Sequence, residues 1–368
     1  MMSKSKIGTV EAIMIILTII VAHTILSLPK NILTSMKSAS ILNLIYVSII
    51  VVALGYLIYR LLKKFPGLDI IDISELVGGK MFKNIIGTIF MVYFVISASM
   101  LLRNFSESLK VIYYPMTDIF FIVAFFIIPV CYVNKLDFNA TSKTNLIVVP
   151  IVLFAIIVLF ATNMKQFSTQ KMFPILGEGA SNTFVLGLSN ISAFGGIVYL
   201  YFLPPLLKEP EKMKKITLIS IGITSIYLIL SVATLLFIFS FFITTNEITP
   251  LYNATRYIEL GSFFQRLESI FLIIWILAFA CYLSTISKFS VSVFKKITNI
   301  DTAKPLTDIF GLLILGLSLV PENYAISQSF ENTIYPHLVI AVSYFLGIGI
   351  LVIANLKRRK ESKHEKIS

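Results

Sequence analysis

The residues that could do chemistry in this chain are few, and they lie in apolar surroundings. His23 falls in the run Ala22-His23-Thr24-Ile25-Leu26-Ser27-Leu28-Pro29, and a second polar interruption is Ser192-Ala193-Phe194-Gly195-Gly196. Such a set supports recognition of a small polar molecule. Pro29 has no amide hydrogen and its ring crowds the carbonyl of Ile25, so the spacing predicts a broken helix that restarts near Ile25 or Leu26. Two adjacent glycines weaken a helix by about 1 kcal/mol each relative to alanine. A break exposes free amides at the start of one half-helix and free carbonyls at the end of the other. A zwitterion could then set its carboxylate on the amides of Thr24 to Leu26 and turn its ammonium to the carbonyls near Ala22 and Asn190 to Ala193. Proline kinks and glycine packing also occur in membrane helices that bind nothing, so the weight falls on two breaks at matching places.

Side chains on neighbouring spans extend the candidate site. Tyr93 and Ser97 share a helix face at i, i+4, and Tyr282 shares one with Thr285 at i, i+3. Interior packing accounts for a tyrosine equally well, and serine or threonine in membrane helices often bonds its own i−4 carbonyl. His23 is an ionisable group near mid-membrane and hence a functional candidate. Its protonation could gate binding, and a neutral ring bonded to a freed carbonyl is as economical. Lys288, one turn beyond Thr285, could stand in for a bound sodium ion, although snorkelling toward the membrane surface explains it more simply.

Catalysis finds no support. There is no His-Glu-x-x-His, Gly-x-Ser-x-Gly or P-loop, and no cluster of carboxylates within the spans. Cys131 and Cys281 lack metal-ligand spacing, which argues against a zinc module and a disulfide framework. No metal and no cofactor is expected.

The elements that must position these residues are membrane helices. Apolar residues make up 57% of the chain and charged ones 14%, a balance outside the range of soluble domains. Ten stretches of roughly 20 apolar residues can each cross about 30 Å of hydrocarbon. They run from Ile7 to Leu33, Ile41 to Leu62, Ile85 to Leu109, Ile119 to Val133, Leu146 to Thr162, Phe184 to Leu207, Ile216 to Ile243, Ser269 to Phe294, Leu306 to Val320 and Ile334 to Leu356. With the amino terminus inside, 23 of the 31 Lys and Arg fall on the inner side and 8 on the outer. The positive-inside rule then sets both termini in the cytoplasm, and the basic balance reflects topology rather than nucleic-acid binding. The first span continues through Pro29 and so differs from a cleavable signal peptide. The interruptions in spans one and six are five spans apart. That spacing predicts one transmembrane domain, 1–356, built as an inverted repeat of about 7–162 and about 184–356, followed by a basic tail at 357–368.

Several stretches resemble one family, the B subunits of bacterial spore germinant receptors, which are spore germination permeases within the amino acid-polyamine-organocation superfamily. The first break is similar to that family's small-residue run ending in Leu-Pro. Tyr93 followed by Arg103 and Glu107 is similar to its aromatic followed by Arg-x-x-x-Glu, and Phe173-Pro174-Ile175-Leu176-Gly177-Glu178-Gly179 to its Pro-x-Leu-Gly-x-Gly loop. The most specific match is Gly261-Ser262-Phe263-Phe264-Gln265-Arg266-Leu267-Glu268-Ser269, with Trp275 beyond it. The family often carries glycines where this chain has Ala22, His23 and Thr24, so the pocket here is expected to be narrower or more polar. The resemblance implies an all-α, ten-helix, LeuT-like subunit of a nutrient sensor in the spore inner membrane. It also implies an A-type membrane subunit and a C-type lipoprotein as partners, with nutrient binding signalling them to release ions. A secondary transporter of the same fold, moving an amino acid with protons or by exchange, is the alternative. Arg103, Glu107, Arg266 and Glu268 read as structural or partner-contacting rather than as ligand contacts.

Overall fold

The computed structural model describes residues 6–247, 249–256, 267–300, 302 and 304–364. Arg266 therefore lies outside the described residues. Apolar periodicity cannot separate one face from the other in this chain, because lipid and protein interior are both apolar. The described part is helical: α1 (Thr9–Leu26), α2 (Leu28–Met36), α3 (Ser40–Leu62), α4 (Ile70–Tyr113), α5 (Ile119–Asn134), α6 (Phe138–Asn163) and α7 (Ala180–Phe184) come first. A 3-10 run, Leu186–Tyr201, follows, then α8 (Met213–Asn246), α9 (Pro250–Arg256), α10 (Leu267–Thr298), α11 (Lys304–Ser318), α12 (Tyr324–Ser329), α13 (Tyr335–Val339) and α14 (Gly347–His364). Seven helical runs among the described residues are long and apolar enough to cross a membrane, and two shorter apolar helices, Thr9–Thr24 and Ile119–Asn134, accompany them. The run Leu28–Leu62 holds both α2 and α3, joined by a single 3-10 turn at Lys37–Ala39 with Lys37 at φ 50°. The chain is therefore an all-helical, multi-pass membrane protein.

The start of α4 follows from its cap. The Asp69 carboxylate accepts from the amides of Ile71 and Asp72, both at 3.0 Å, while Asp72 reaches back to the Asp69 amide at 3.3 Å. Gly78 (φ −135°, ψ 15°) and Gly79 (φ 72°, ψ −168°) then separate the first turns of α4 from its long apolar part. Only glycine adopts the second of these conformations freely. Lys296 at the end of α10 bonds Asp69 at 2.6 Å and Asp72 at 2.5 Å, clamping α10 to the start of α4. Desolvation beside the Asp72 charge pushes the Asp69 carboxyl up, against the pull of Lys296.

The two interruptions differ from expectation in place and kind. Ala22, His23, Thr24, Ile25 and Leu26 are all helical, and the break falls at Ser27 (φ −123°, ψ −17°), whose amide still bonds the His23 carbonyl. Pro29 sits in the first turn of α2, where a missing amide is harmless, so α2 restarts later than the proline alone implied. The sixth segment has no open gap. It winds as the 3-10 run, with a departure only at Phe194 (φ −95°, ψ 31°). A 3-10 helix of this length is uncommon and holds its side chains in three eclipsed rows. The two segments do touch: a Cβ on Gly196 would stand 2.6 Å from the Ile16 carbonyl oxygen, so the glycine permits backbone contact with α1. Their ends are also tied, the Ile7 amide bonding Leu206 O at 2.8 Å and the Lys208 amide bonding Ile7 O at 2.9 Å.

The last membrane helix begins at Tyr324, ten residues before its expected start. Pro336 removes an amide from the ladder, and the helix widens into π turns at Phe330–Ile334 and Ile340–Leu346 on either side of α13. Asn323 caps its start by accepting from the Ile326 amide at 3.0 Å. Aromatic packing fills the centre: Phe105 stacks on Phe279 at 3.8 Å and meets Trp275 edge-on at 5.1 Å, while Phe289 stacks on Tyr199 at 4.7 Å.

Gly196→Val is expected to lower the thermal unfolding midpoint of the purified protein, reflecting about 1–3 kcal/mol of overpacking against the Ile16 backbone. Gly222→Ala, at a glycine whose added Cβ meets nothing within 4 Å, is the control and should leave the midpoint unchanged or raise it slightly.

Candidate ligand-binding site

A cavity of about 190 Å³ opens beside the interruption of the first helix, lined by His23, Asn31, Ser192, Ala193, Glu331 and Tyr335 among others. Pockets for drug-sized molecules run to about 300–1,000 Å³, so this one suits a small solute. Its walls come from α1, α2, the 3-10 run and the first π turn of the last helix.

Glu331 organises the site, and the sequence reading placed it outside the spans. It is 6% exposed. Ser27 Oγ donates to its Oε1 at 2.5 Å, and the Asn104 side-chain amide donates to its Oε2. Asn104 Oδ1 in turn accepts from the Ser327 hydroxyl, and Asn104 O accepts from Ser108 at 2.9 Å. His23 Nδ1 lies 3.7 Å from Glu331 Oε1, an ion-pair distance for a protonated ring. The carboxylate thus spans the helix break, α4 and the last helix. The one early signal was polar residues, Asn323, Gln328, Glu331 and Asn332, running directly into an apolar segment.

His23 is held by rings. Tyr335 stacks on it at 5.5 Å with 16° between planes, and Tyr282 meets it edge-on at the same distance. Behind these rings, Tyr93 lies against Ser97, Tyr335 and Ser343 without forming a well-aligned hydrogen bond to any of them. Thr24 Oγ1, Ser97 Oγ, Ser343 Oγ, His23 Nε2 and the hydroxyls of Tyr93, Tyr199 and Tyr282 are all buried without a partner. Buried polar atoms nearly always find a partner in proteins or in bound water, and here several without one lie close together behind the cavity wall.

The other expected site residues divide. Ser192 and Ala193 line the cavity, and the Ser192 hydroxyl turns back to Ser189 O at 2.9 Å. Phe194 and Gly196 face α1 instead, beside Ile16 and Ile20. Ala22 is fully packed within α1, and the amides of Ile25 and Leu26 sit inside the helix, so they cannot serve as open donors. At the start of α2 the Asn31 amide bonds Ser27 O at 2.8 Å, so the amides with no acceptor inside that helix are those of Leu28 and Lys30. Thr285 does not reach the cavity: its hydroxyl donates to Cys281 O at 2.7 Å and accepts from the Asn145 amide at 2.9 Å. Lys288 donates to Leu136 O at 2.8 Å and Asp137 O at 3.0 Å, away from the break, as a snorkelling lysine does.

Arg103 and Glu107 are buried at 3% and 8% exposure, paired at 2.7 Å, and Arg103 also donates to Ser318 O at 3.3 Å at the end of α11. They brace α4 against α11 inside the protein, which leaves neither available to a partner on the surface. Glu268 lies in the first turn of α10 and is half-buried. The loop Phe173 to Gly179 folds over the α2–α3 junction. There the Ser38 hydroxyl bonds Pro174 O at 2.7 Å, and Gly177 (φ 53°) approaches Met36 O.

The fold defines a class, the helical membrane proteins built like small-molecule transporters. The chain superposes on Mhp1, a nucleobase-cation-symport-1 family transporter, in a closed conformation with bromovinylhydantoin bound. The TM-score is 0.66 at 13% identity, over 95% of this chain and 78% of that one. MhsT in complex with L-phenylalanine gives 0.63 at 11% identity over 93% and 97%. The sequence profile described as spore germination protein matches residues 6–326, so the chain belongs to the spore germination protein family. Relatives in Bacillus subtilis (strain 168) include spore germination protein YndE, 24% identical over 97% of this chain and 98% of that protein. Spore germination protein A2 is also 24% identical, over 97% and 98%.

Asn104→Leu is expected to destabilise the protein by about 1–3 kcal/mol, because Glu331 and the Ser327 hydroxyl each lose a buried partner. Arg103→Ala should cost more, about 3–5 kcal/mol, by stranding Glu107, and a second change, Glu107→Ala, should recover part of the loss. Both are read as shifts in unfolding midpoint in detergent.

Proposed function

We propose that this chain is the membrane subunit of a spore nutrient germinant receptor, which binds a small nutrient at mid-membrane and passes its occupancy to partner subunits. The observation that carries this reading is the set of unpartnered polar atoms around His23 and Tyr335, next to a cavity that has one carboxylate, Glu331, among the described residues. An amino acid suits that chemistry. Its ammonium would face Glu331, which replaces the helix carbonyls expected from sequence, and its carboxylate would take donors from Leu28, Lys30 and the tyrosine hydroxyls. Tyr93 and Ser97 stand one layer below and bear on how large a ligand the site admits.

Ten crossings in two inverted sets of five complete the reading, with the interrupted first and sixth segments against each other and both termini in the cytoplasm. The inner spore membrane is the compartment that membership of the family favours. An A-type membrane subunit and a C-type lipoprotein are the partners proposed to receive the signal.

Adding amino acids to the purified protein should raise its unfolding midpoint, whereas sugars and nucleosides should not. Glu331→Gln should weaken the responding ligand about 10–100-fold, the loss of a charge-assisted hydrogen bond. A panel without a single stabilising compound, or a Glu331→Gln response equal to wild type, would remove the basis for this site. In proteoliposomes the chain alone should not accumulate radiolabelled amino acid; robust uptake would establish the transporter alternative instead.

A further inference from the structure

At the end of α5 and α10 remote from the nutrient cavity, a groove of about 860 Å³ lies between the α5–α6 connection and the start of α11. Four lysines line it, Lys135, Lys288, Lys295 and Lys304, with Asp137 among them. Lys135 is paired with Asp308 at 2.9 Å and Lys288 bonds two backbone carbonyls. Among the described residues, Lys295 and Lys304 meet no carboxylate, so the described lining of the groove carries more positive than negative charge.

Immediately along the same two helices lies a cleft of about 270 Å³ between α5, α6 and α10, lined by Phe125, Val130, Val148, Leu277 and Ala280. Phe125 is 69% exposed and Leu277 44%, so the cleft opens sideways from the bundle. Groove and cleft meet where Ser284, in the cleft, donates to Asn134 Oδ1, in the groove, at 2.5 Å. From Leu277 to Lys288 the helix rises about 16 Å at 1.5 Å per residue, comparable to an acyl chain that crosses one leaflet, half of a hydrocarbon core of about 30 Å.

We propose that groove and cleft together form a binding site for one anionic phospholipid, the phosphate held by Lys295 and Lys304 and an acyl chain lying in the cleft. Charge favours an anion over a zwitterionic headgroup, and a lipid-facing apolar slot beside the lysines favours a phospholipid over free phosphate. Because Lys288 ties α10 to the α5–α6 connection at the floor of the groove, a lipid there would brace those two elements against each other.

The full-length protein, purified in mild detergent, is offered phosphatidylglycerol or phosphatidylcholine of equal chain length, and bound lipids are counted by native mass spectrometry. Phosphatidylglycerol should be retained at least fivefold better. Lys295→Gln and Lys304→Gln should each reduce its retention about fivefold. Ala280→Phe, which fills the cleft and leaves every charge in place, should also reduce it. Neutralising the exposed Lys208 and Lys215 should change nothing. Equal retention of both lipids by the wild-type protein would overturn the proposal, and so would an unaffected double lysine variant. Competition by inorganic phosphate as effective as the lipid itself would assign the groove to a soluble anion and refute the lipid. The wild-type and Ala280→Phe comparisons decide the matter even if the lysine variants fail to fold.

Discussion

A buried carboxylate holds open the interruption of the first helix. Water cannot reach the backbone inside a bilayer, so a helix that stops at Leu26 and restarts at Leu28 must have its loose groups met by other parts of the protein. At the break the Ser27 amide bonds His23 O and the Asn31 amide bonds Ser27 O, while the Ser27 hydroxyl is held by Glu331, itself held by Asn104, with His23 one step away. Three elements far apart in the chain are thereby fixed to one another at the place where a ligand could enter. A carboxylate in apolar surroundings is expensive to maintain without a cation, and the His23 ring stands 3.7 Å from it.

The rest of the site follows from how closely the backbones around that anchor can approach. Gly196 lets the 3-10 run touch α1, and Tyr201 and Tyr344 lash the same run to the last helix through Ser343 O at 2.7 Å and Ile191 O at 3.0 Å. Because the run is wound tightly rather than opened, it supplies a wall and few free carbonyls. Polar capacity comes instead from side chains, the cluster of hydroxyls behind His23 and Tyr335.

Charged residues elsewhere divide into fasteners and free surface. Arg103 with Glu107, and Lys296 with Asp69 and Asp72, join α4 to α11 and to α10 respectively. Partial exposure of Lys296 offsets the desolvation of its pair, and a second hydrogen bond, to Ser318 O, serves Arg103 in the interior. Asn145 and Thr285 join α6 to α10 without charge, in the middle of both. These contacts keep the scaffold rigid around the cavity while Lys295 and Lys304 stay available at its edge.

The amino-acid sequence by itself determined the class of molecule, the approximate limits of most helices and the two stretches that cannot form ordinary helix, because apolar length, charge bias, proline and paired glycines act locally. It also marked His23, Tyr93 and Ser97 as polar residues inside spans, and polar groups there need a reason. Only the tertiary structure decided where the first helix breaks, since Ser27 is chosen by Glu331 across 304 residues of chain and not by Pro29 alone. It decided as well that Thr285 is tied up by Asn145, that Arg103 and Glu107 are interior, and that Glu331 lies inside the last helix, in its first π turn. A hydrogen bond between distant segments leaves no periodicity to read, and a helix that widens around a proline hides its true start.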